Sequence, residues 1–265
     1  DGNILLLGAL ATDTHVFLLQ NQLEGRSEAG EVEWFVAYGS EQDVFDEYVR
    51  QVGIRFGVAE KKHVPRVWCS WYSLYTNINE KLLHDTFDQL GDLPFDVLQV
   101  DDGWQQEIGD WEPNKKFPSG MQALADKIRS TGRTAGLWLA PLLASNSSRL
   151  FHEHKDWLLR DEKGNFISAG YNYWGRDLFA LDVTHPDAIA WLVALMKRVR
   201  SWGFDYYKLD FLYAGAMKGK QHKEMPREAA YREVLQILRE AMGEGAFFLT
   251  CGTPILPALG MCDAI

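Results

Sequence analysis

The sequence of 265 residues has few cysteines, no long apolar run and no excess of basic residues. Its three cysteines are too few and too far apart for a disulfide framework, so we expect a reducing compartment and a cytoplasmic location. A membrane span is excluded because no stretch of about 18 apolar residues occurs. Lys and Arg number 27 against 37 Asp and Glu, and this acidic balance argues against nucleic acid as the main partner.

Apolar and aromatic residues, by contrast, are abundant. Hydrophobic residues make up 46% and charged residues 24%, fractions that are typical of a globular protein rather than a disordered or fibrous one. Ten Trp, ten Tyr and 14 Phe also favour a ligand with an apolar ring face, such as a sugar. The opening segment DGNILLLGAL has no basic n-region, so we expect no signal peptide, and we expect its leading Asp to lie inside a longer protein.

Residues 1–60 carry the pattern of antiparallel strands followed by a linking helix. Short runs of strand-forming residues, punctuated by glycines, predict three strands: Asn3–Leu10, His15–Leu19 and Val32–Tyr38. Apolar residues at helical spacing then predict a helix over Glu41–Gly53. The charged stretch Glu60–His63 before Pro65 predicts a boundary, with one domain over 1–60 and a second over 61–265.

From Pro65 onward, a strand followed by a helix recurs along the chain. Five strands are predicted: Val67–Trp71, Asp96–Val100, Thr134–Leu139, Phe204–Leu209 and Phe247–Thr250. The helices between them begin next to Asn79, Ser119, Pro186 and Pro226. This alternation predicts an α/β fold with parallel strands, either an open doubly wound sheet or a (β/α)8 barrel.

The barrel is the favoured fold class because no glycine-rich phosphate turn follows any of the predicted strands. The chain after Pro65 is shorter than the roughly 250 residues of a complete barrel. We therefore expect an incomplete (β/α)8 barrel of about five strands, with Asp263–Ile265 entering a sixth.

Polar and aromatic residues cluster where the predicted strands end. In barrels of this kind the chemistry lies at the carboxyl ends of the strands. The residues at those ends are Trp71, Asp101, Asp102, Trp138, Lys208, Asp210 and Cys251. Since the strand bodies are mostly apolar, this pattern predicts a polar pocket above an apolar barrel.

Two groups of charged residues have alternative interpretations. Lys208 and Asp210 share one face of a strand, where a lysine favours the charged form of a carboxylate that could attack a glycoside, but a structural salt pair fits equally well. Asp101 and Asp102 could bind vicinal hydroxyls or a divalent cation, although capping of the next turn is the simpler interpretation. A metal-dependent enzyme with Asp101, Asp102 and Asp210 as ligands is therefore one open hypothesis.

The remaining candidates are less informative. Trp71 and Trp138 could wall a sugar pocket or belong to the core, and Cys251 could be a small buried residue. The histidine cluster over His152–His154 does not have the spacing of a zinc helix, and a solvated surface is the better interpretation. No Gly-x-Ser-x-Gly nucleophile turn or phosphate-binding loop is present.

The chain contains a series of motifs, which are in order VWCSWYSLY, FDVLQVDDGWQ, GDW, TAGLWLAP, FALDVTHP, FDYYKLDFLYAGAM and FLTCGTPILPALGMCDAI. This set resembles the bacterial and fungal α-galactosidase family that also contains plant raffinose synthases. The resemblance runs from about residue 65 to the last residue. It implies a (β/α)8 catalytic domain preceded by a β-sandwich, and residues 1–60 would include the end of that sandwich.

The resemblance also implies an activity. The expected enzyme is a retaining glycosidase that removes terminal α-D-galactosyl units from oligosaccharides such as melibiose and raffinose, without a metal or cofactor. Asp210 would be the nucleophile. The implied sugar-binding residues are Trp71, Asp101, Asp102, Trp138, Lys208 and Cys251.

The family's acid/base aspartate lies in an R-I-G-P-D motif that we expect beyond Ile265, and Asp263 matches a different family position. Two alternatives therefore remain beside hydrolysis: galactosyl transfer of the raffinose-synthase kind, and an inactive sugar-binding fragment. Neither nucleic acid nor a membrane is expected as a partner, and homo-oligomerisation is left open.

Overall fold

The computed structural model describes residues 2–27, 30–58, 63–170 and 175–265. A first region contains four strands and one helix. Its elements are β1 (Asn3–Ala9), β2 (Thr14–Leu19), β3 (Gln22–Ser27), β4 (Trp34–Ser40) and α1 (Glu41–Phe56). β1 pairs with β4 and β2 pairs with β3, and both pairs are antiparallel, as predicted. The sequence does not reveal β3, because its segment QLEGRS has a single large apolar residue and an internal glycine.

The helix α1 has a capping residue at each end. Ser40 accepts a hydrogen bond from the backbone N–H of Asp43, and Gly57 adopts the left-handed conformation that ends the helix. The predicted end at Gly53 is wrong because Gly53 stays helical. Residues 59–62 lie outside the described residues, and with them most of the predicted boundary at Glu60–His63. The division into 1–60 and 61–265 stays a prediction.

The second region alternates strands and helices. Its elements are β5 (Val67–Cys69), α2 (Trp71–Leu74), α3 (Glu80–Gln89), β6 (Val97–Val100), β7 (Gln105–Glu107), β8 (Asp110–Pro113), α4 (Gly120–Ser130), β9 (Thr134–Leu139), β10 (Leu143–Ser145), α5 (Arg149–Glu153), a 3-10 turn (Lys155–Trp157), β11 (Ser168–Gly170), β12 (Leu178–Ala180), α6 (Pro186–Ser201), β13 (Tyr206–Leu209), a second 3-10 turn (Leu212–Ala216), α7 (Arg227–Met242), β14 (Phe247–Thr250) and α8 (Ile255–Ala258).

Five of these strands form one parallel sheet. Their order is β14-β13-β9-β6-β5, and every pair is parallel. A further parallel bridge joins Leu249 to Ala264, at the place where a sixth strand was expected to begin. The α/β prediction is confirmed, and the arrangement is that of part of a (β/α)8 barrel.

The start of the sheet differs from the prediction. β5 ends at Cys69, and the chain then turns at Ser70 so that Trp71 begins the short helix α2. Ser70 is buried, and its Oγ accepts a hydrogen bond from the backbone N–H of Asp101 at 2.9 Å. This contact joins the ends of β5 and β6, which places Trp71 at the rim of the sheet.

Two smaller sheets lie in segments without a strand-like pattern. β7 and β8 form an antiparallel hairpin, and β12 pairs with both β10 and β11. The hairpin sequence is largely polar, and β10 and β12 are only three residues long, so neither shows the alternation that predicts strands. Both sheets stand at the carboxyl ends of the parallel strands.

The core lies between the parallel sheet and its helices. Buried apolar side chains of four helices pack in one cluster with the strands: Leu83 and Phe87, Leu124 and Ile128, Leu192 and Met196, and Leu235 and Leu238. Burial of each such side chain stabilises the fold by roughly 1.5–3 kcal/mol. Among the described residues, no helix is long and apolar enough to cross a membrane. The packed layer therefore fixes the strand ends that form the candidate site.

Candidate active site

A cavity of about 830 Å³ opens at the carboxyl ends of β5, β6, β9 and β13. Six of the seven residues singled out at the strand ends line it: Trp71, Asp101, Asp102, Trp138, Lys208 and Asp210. Cys251 is not part of this lining. The structure thus brings together residues that are far apart in sequence, as expected for the carboxyl end of a parallel barrel.

Asp210 occupies a defined position directly after β13. Its backbone N–H donates to the carbonyl of Leu139 at 2.8 Å, which extends the pairing of β13 with β9 by one residue. Its side chain accepts two hydrogen bonds, from Trp138 Nε1 to Oδ2 at 3.1 Å and from the backbone N–H of Phe211 to Oδ1 at 2.8 Å. Both oxygens are therefore oriented before any ligand binds.

The backbone after Asp210 is strained. Phe211 has a φ of +54°, in the left-handed region that bulky residues rarely adopt. Phe211 lines the cavity, and so does Tyr75, which has a φ of +50°. Strain of this kind costs about 1–3 kcal/mol per residue and is concentrated at functional sites. The two outliers support a functional rather than a purely structural role for this end of the sheet.

Asp101 is the centre of a buried hydrogen-bond network. Its Oδ2 accepts from Gln99 Nε2 at 2.6 Å, from Lys208 Nζ at 2.9 Å and from Cys69 Sγ at 3.4 Å. Its Oδ1 accepts from the backbone N–H of Asp102 at 2.9 Å. Gln99 and Asp101 are two residues apart, so the period of the strand puts them on one side. The network fixes the carboxylate against the edge of the cavity.

The ion pair of Lys208 differs from the Lys208–Asp210 pair that the sequence suggested. Its ammonium forms an ion pair with Asp101 rather than with Asp210, although Lys208 and Asp210 both face the cavity. Burial by itself lowers the pKa of Lys208, but the charge and hydrogen bond of Asp101 outweigh burial and raise the pKa above its usual value. Lys208 is therefore a charged donor that is held by Asp101.

Asp102 is oriented by a side chain that sequence reasoning missed. Gln105 Nε2 donates to Asp102 Oδ1 at 2.5 Å, and Gln105 Oε1 accepts from the backbone N–H of Gly103 at 3.1 Å. Gly103 has a φ of +114°, and a Cβ there would lie 2.9 Å from the carbonyl oxygen of Thr76. Only glycine fits this turn, which presents Asp102 to the cavity.

Two indoles, Trp104 after β6 and Trp138 in β9, form a chain of hydrogen bonds that ends at Asp210. Trp104 is buried, and its Nε1 donates to the backbone carbonyl of Trp138 at 3.0 Å. Trp138 in turn donates to Asp210. Trp71, which also lines the cavity, packs edge-on against Tyr75, with ring centroids 5.3 Å apart. The cavity therefore has aromatic walls beside its carboxylates.

The two thiols near the site are neutral at physiological pH. Burial, followed by the negative charge of Asp101, raises the pKa of Cys69 to about 12. Burial and the charge of Asp210 also raise the pKa of Cys251. Neither is an activated nucleophile. A contact between Cys251 and a sugar stays a prediction, since Cys251 lies next to the cavity-lining carboxylates but outside the lining itself.

A signal for some of the missed residues was present in the sequence. Gln99 is a polar residue inside the apolar strand VLQV, two positions before Asp101, and strand periodicity points it toward the same side. Gln105 and Trp104 belong to the DDGWQ motif, but their roles depend on contacts made only in the folded chain. The histidine cluster lies elsewhere: His152 is exposed, while the ring of His154 stacks on Trp157 with centroids 3.8 Å apart.

Within the described part of the chain, no group of three or more His, Cys, Asp or Glu side chains is arranged to hold a metal ion.

Comparison with known proteins gives consistent matches. The family model described as Melibiase matches residues 38–242. A curated relative, the α-galactosidase AgaA of Geobacillus stearothermophilus, is 26% identical over 194 residues, which cover 69% of this chain and 26% of that protein. A probable α-galactosidase C of Aspergillus oryzae is 32% identical over 166 residues, covering 56% of this chain and 21% of that protein.

Solved structures extend the match to 99% of this chain. An α-galactosidase from Thermus thermophilus, solved in complex with stachyose, is 45% identical to this chain and has a TM-score of 0.91. The match covers 99% of this chain and 55% of the Thermus protein. An α-galactosidase from Lactobacillus brevis, at 21% identity and a TM-score of 0.68 over 91% of this chain and 36% of that one, shares the fold. The chain thus spans about half the length of the Thermus protein and about a quarter of AgaA. Because the family model matches most of its residues, this chain belongs to the melibiase family.

Proposed function

We propose that this chain supplies the nucleophile and most of the sugar-binding site of a retaining α-galactosidase. The observation that carries the proposal is the geometry of Asp210, whose two oxygens are oriented by Trp138 and by a backbone N–H. Asp210 faces the same cavity as Asp101, Asp102 and Lys208. The similarity to α-galactosidases, one of them solved with stachyose, supports galactosides as the substrate class.

The proposed chemistry follows from the positions of the polar groups. The carboxylates of Asp101 and Asp102 accept hydrogen bonds from galactose hydroxyls, and the Lys208 ammonium donates hydrogen bonds to hydroxyl oxygens of the same sugar. The apolar face of the ring packs on indoles at the wall of the cavity, Trp71 and Trp138. These contacts orient the anomeric carbon toward Asp210, and such positioning lowers the entropic part of the barrier.

Cleavage then proceeds by double displacement. Asp210 forms a bond to the anomeric carbon while the glycosidic bond breaks, and the leaving oxygen takes a proton from a general acid. Water next attacks the galactosyl-enzyme, gives its proton to the same group, and releases galactose with retained configuration. The family resemblance assigns the acid to an aspartate beyond Ile265, and this assignment stays a prediction.

The test uses the full-length protein that contains this chain. It should hydrolyse melibiose and p-nitrophenyl α-galactoside, and NMR should detect the α-anomer of galactose as the first product. Asp210→Ala should lower kcat by at least about 10⁴-fold because the nucleophile is lost. The matched control is Asp205→Ala, since Asp205 is exposed at the amino end of the same strand. Absence of α-galactoside hydrolysis, or activity that survives Asp210→Ala, would contradict the proposal.

The remaining expectations follow from the same proposal. Transfer of galactose to a second sugar, as in raffinose synthases, would appear as a longer oligosaccharide instead of free galactose in the melibiose assay. A cytoplasmic location and the assignment of residues 1–60 to the end of a β-sandwich domain stay predictions.

A further inference from the structure

The backbone N–H that orients one oxygen of Asp210 belongs to a strained residue. Phe211 donates this N–H to Asp210 Oδ1 at 2.8 Å, and its φ of +54° lies in the left-handed region. A bulky residue keeps such a conformation only where the surrounding structure holds it there. The contacts that fix Phe211 therefore also fix the hydrogen bond to the proposed nucleophile.

The chain after Phe211 is tied to the loop that follows β14. The backbone N–H of Leu212 donates to the carbonyl of Cys251 at 3.2 Å. The backbone N–H of Tyr213 donates to the carbonyl of Gly252 at 2.7 Å. Gly252 has a φ of +58°, and a Cβ built on it would lie 3.5 Å from the Cα of Phe211. The loop thus lies directly against the strained backbone, so its position determines where Phe211 lies.

A buried tyrosine of α7 contacts both of these segments. The ring of Tyr231 lies against the second 3-10 turn, since a Cβ built on Gly215 would lie 3.1 Å from its Cδ2 atom. Its hydroxyl forms a hydrogen bond with Thr253 Oγ1, in the loop after β14. Tyr231 therefore connects the helix layer with the two segments that meet at Phe211.

The hydroxyl of Tyr231 has a partner in the loop but no place in the cavity. Burial raises the pKa of Tyr231 well above its ordinary value, so the hydroxyl stays neutral at physiological pH. Tyr207, on β13, is equally buried in the same apolar cluster, and its hydroxyl has no hydrogen-bond partner among the described residues. Tyr231 does not line the cavity. These contacts fit a role in positioning rather than in proton transfer or sugar binding.

We propose that Tyr231 is a positioning residue for Asp210. Its hydroxyl holds the loop after β14 at Thr253, and this loop keeps Phe211 in the conformation that directs its N–H at the carboxylate. The carboxylate is thereby oriented before the sugar binds, and a preset orientation lowers the barrier to attack on the anomeric carbon. This inference rests on the proposed function and deepens it, since it adds a residue that acts on the nucleophile without touching the sugar.

The experiment uses the full-length enzyme and the variant Tyr231→Phe, which keeps the ring and removes only the hydroxyl. For p-nitrophenyl α-galactoside, kcat/KM should fall about tenfold, the lower end of the effect of losing a hydrogen bond to a charged group. The acid limb of its pH profile should move to higher pH, because a carboxylate that loses a donor is protonated more readily. The inhibition constant of galactose should stay unchanged, since Asp101, Asp102 and Lys208 keep their contacts.

The matched control is Tyr207→Phe, which removes an equally buried hydroxyl that has no partner in the described part of the chain. Its kcat/KM and acid limb should equal those of the wild type. Two variants of Thr253 test the other end of the hydrogen bond and guard against misfolding of Tyr231→Phe. Thr253→Val should reproduce the loss, whereas Thr253→Ser, which keeps the hydroxyl, should retain the wild-type value.

Two results would overturn this role of Tyr231. The first is an unchanged kcat/KM in either Tyr231→Phe or Thr253→Val, even where the Tm falls, because a merely structural bond changes stability alone. The second is an equal loss in Tyr231→Phe and Tyr207→Phe. If the wild-type protein cleaves no α-galactoside, the proposed function itself is wrong, and this result is distinguishable from an unchanged kcat/KM.

Discussion

The two ends of the parallel sheet carry similar charges in opposite environments. At the amino ends, Arg66 forms an ion pair with Asp96 at 2.8 Å, and their side chains are 60% and 35% exposed. At the carboxyl ends, Lys208 pairs with Asp101 at 2.9 Å, and their side chains are 14% and 3% exposed. An exposed pair contributes little to stability, whereas burial of charges is costly and needs compensating hydrogen bonds.

The comparison shows what distinguishes a site from a surface. A cavity also exists at the amino ends, with a volume of about 480 Å³. There, Arg66 holds the pKa of Asp96 below its usual range at the protein surface. At the carboxyl ends, Lys208, Gln99 and a thiol converge on one buried carboxylate that faces the cavity. A converging, buried polar network, rather than a cavity alone, therefore supports the proposal that the carboxyl ends are the functional end.

The largest effect is expected from breaking the buried pair. Lys208→Met leaves the buried Asp101 carboxylate without its ammonium, and loss of one partner of a buried pair costs about 3 kcal/mol in the free energy of unfolding. Urea denaturation of the wild type and the variant measures this difference. A change indistinguishable from zero would show that the two ends of the sheet are energetically equivalent.

A smaller effect is expected from removing the indole N–H next to Asp210. Trp138→Phe deletes the hydrogen bond to Asp210 Oδ2 and should lower kcat about 10- to 100-fold, because hydrogen bonds to charged groups contribute about 1.5–3 kcal/mol. The control is Trp68→Phe, since Trp68 packs against Phe87 on the helix side of β5. Equal kcat values for the two variants would contradict a role of Trp138 in positioning Asp210.

The pH dependence of stability offers a third comparison. The pKa of Cys69 is about 12 in the folded chain, above its ordinary value of 9.0. A raised pKa means that the stabilising contribution is complete below pH 9 and is lost as the pH rises from about 9 toward 12. The Tm of Cys69→Ser should therefore fall less steeply between pH 9 and 11 than that of the wild type. Lys208 is present in both proteins, so its titration affects both slopes alike, and identical slopes would contradict the raised pKa of Cys69.

The smallest effect is expected at the amino ends. Arg66→Met breaks an exposed ion pair, and such pairs contribute little. Neither the Tm nor the rate of α-galactoside hydrolysis should change measurably. A loss of activity in this variant would contradict the proposal that the carboxyl ends of the strands, rather than the amino ends, carry the function.

Local patterns were sufficient for much of the fold. The predicted strands Thr134–Leu139 and Phe247–Thr250 match β9 and β14 in their bounds, and Asn79 caps α3 by accepting from the backbone N–H of Leu82. Pro186 begins α6, as its missing N–H allows. These elements agree because strand composition, caps and proline act over a few neighbouring residues.

The details of the site depended on distant contacts. Lys208 and Asp101 are 107 positions apart, so their pairing follows from the order of strands rather than from either motif. The ion pair between Glu107 and Arg176, which both line the cavity, likewise needs the hairpin and the small antiparallel sheet to meet. Sequence patterns could indicate which residues gather at the strand ends, but not which charge contacts which.

The central claim is that Asp210 bonds covalently to galactose. The most direct measurement incubates the full-length enzyme with 5-fluoro-α-D-galactosyl fluoride, in which the ring fluorine slows hydrolysis of the intermediate and the anomeric fluoride leaves readily. Peptide mass spectrometry then locates the adduct. The account predicts one fluorogalactosyl group on Asp210; an adduct on another carboxylate, or galactose released with inverted configuration and no adduct, would contradict it.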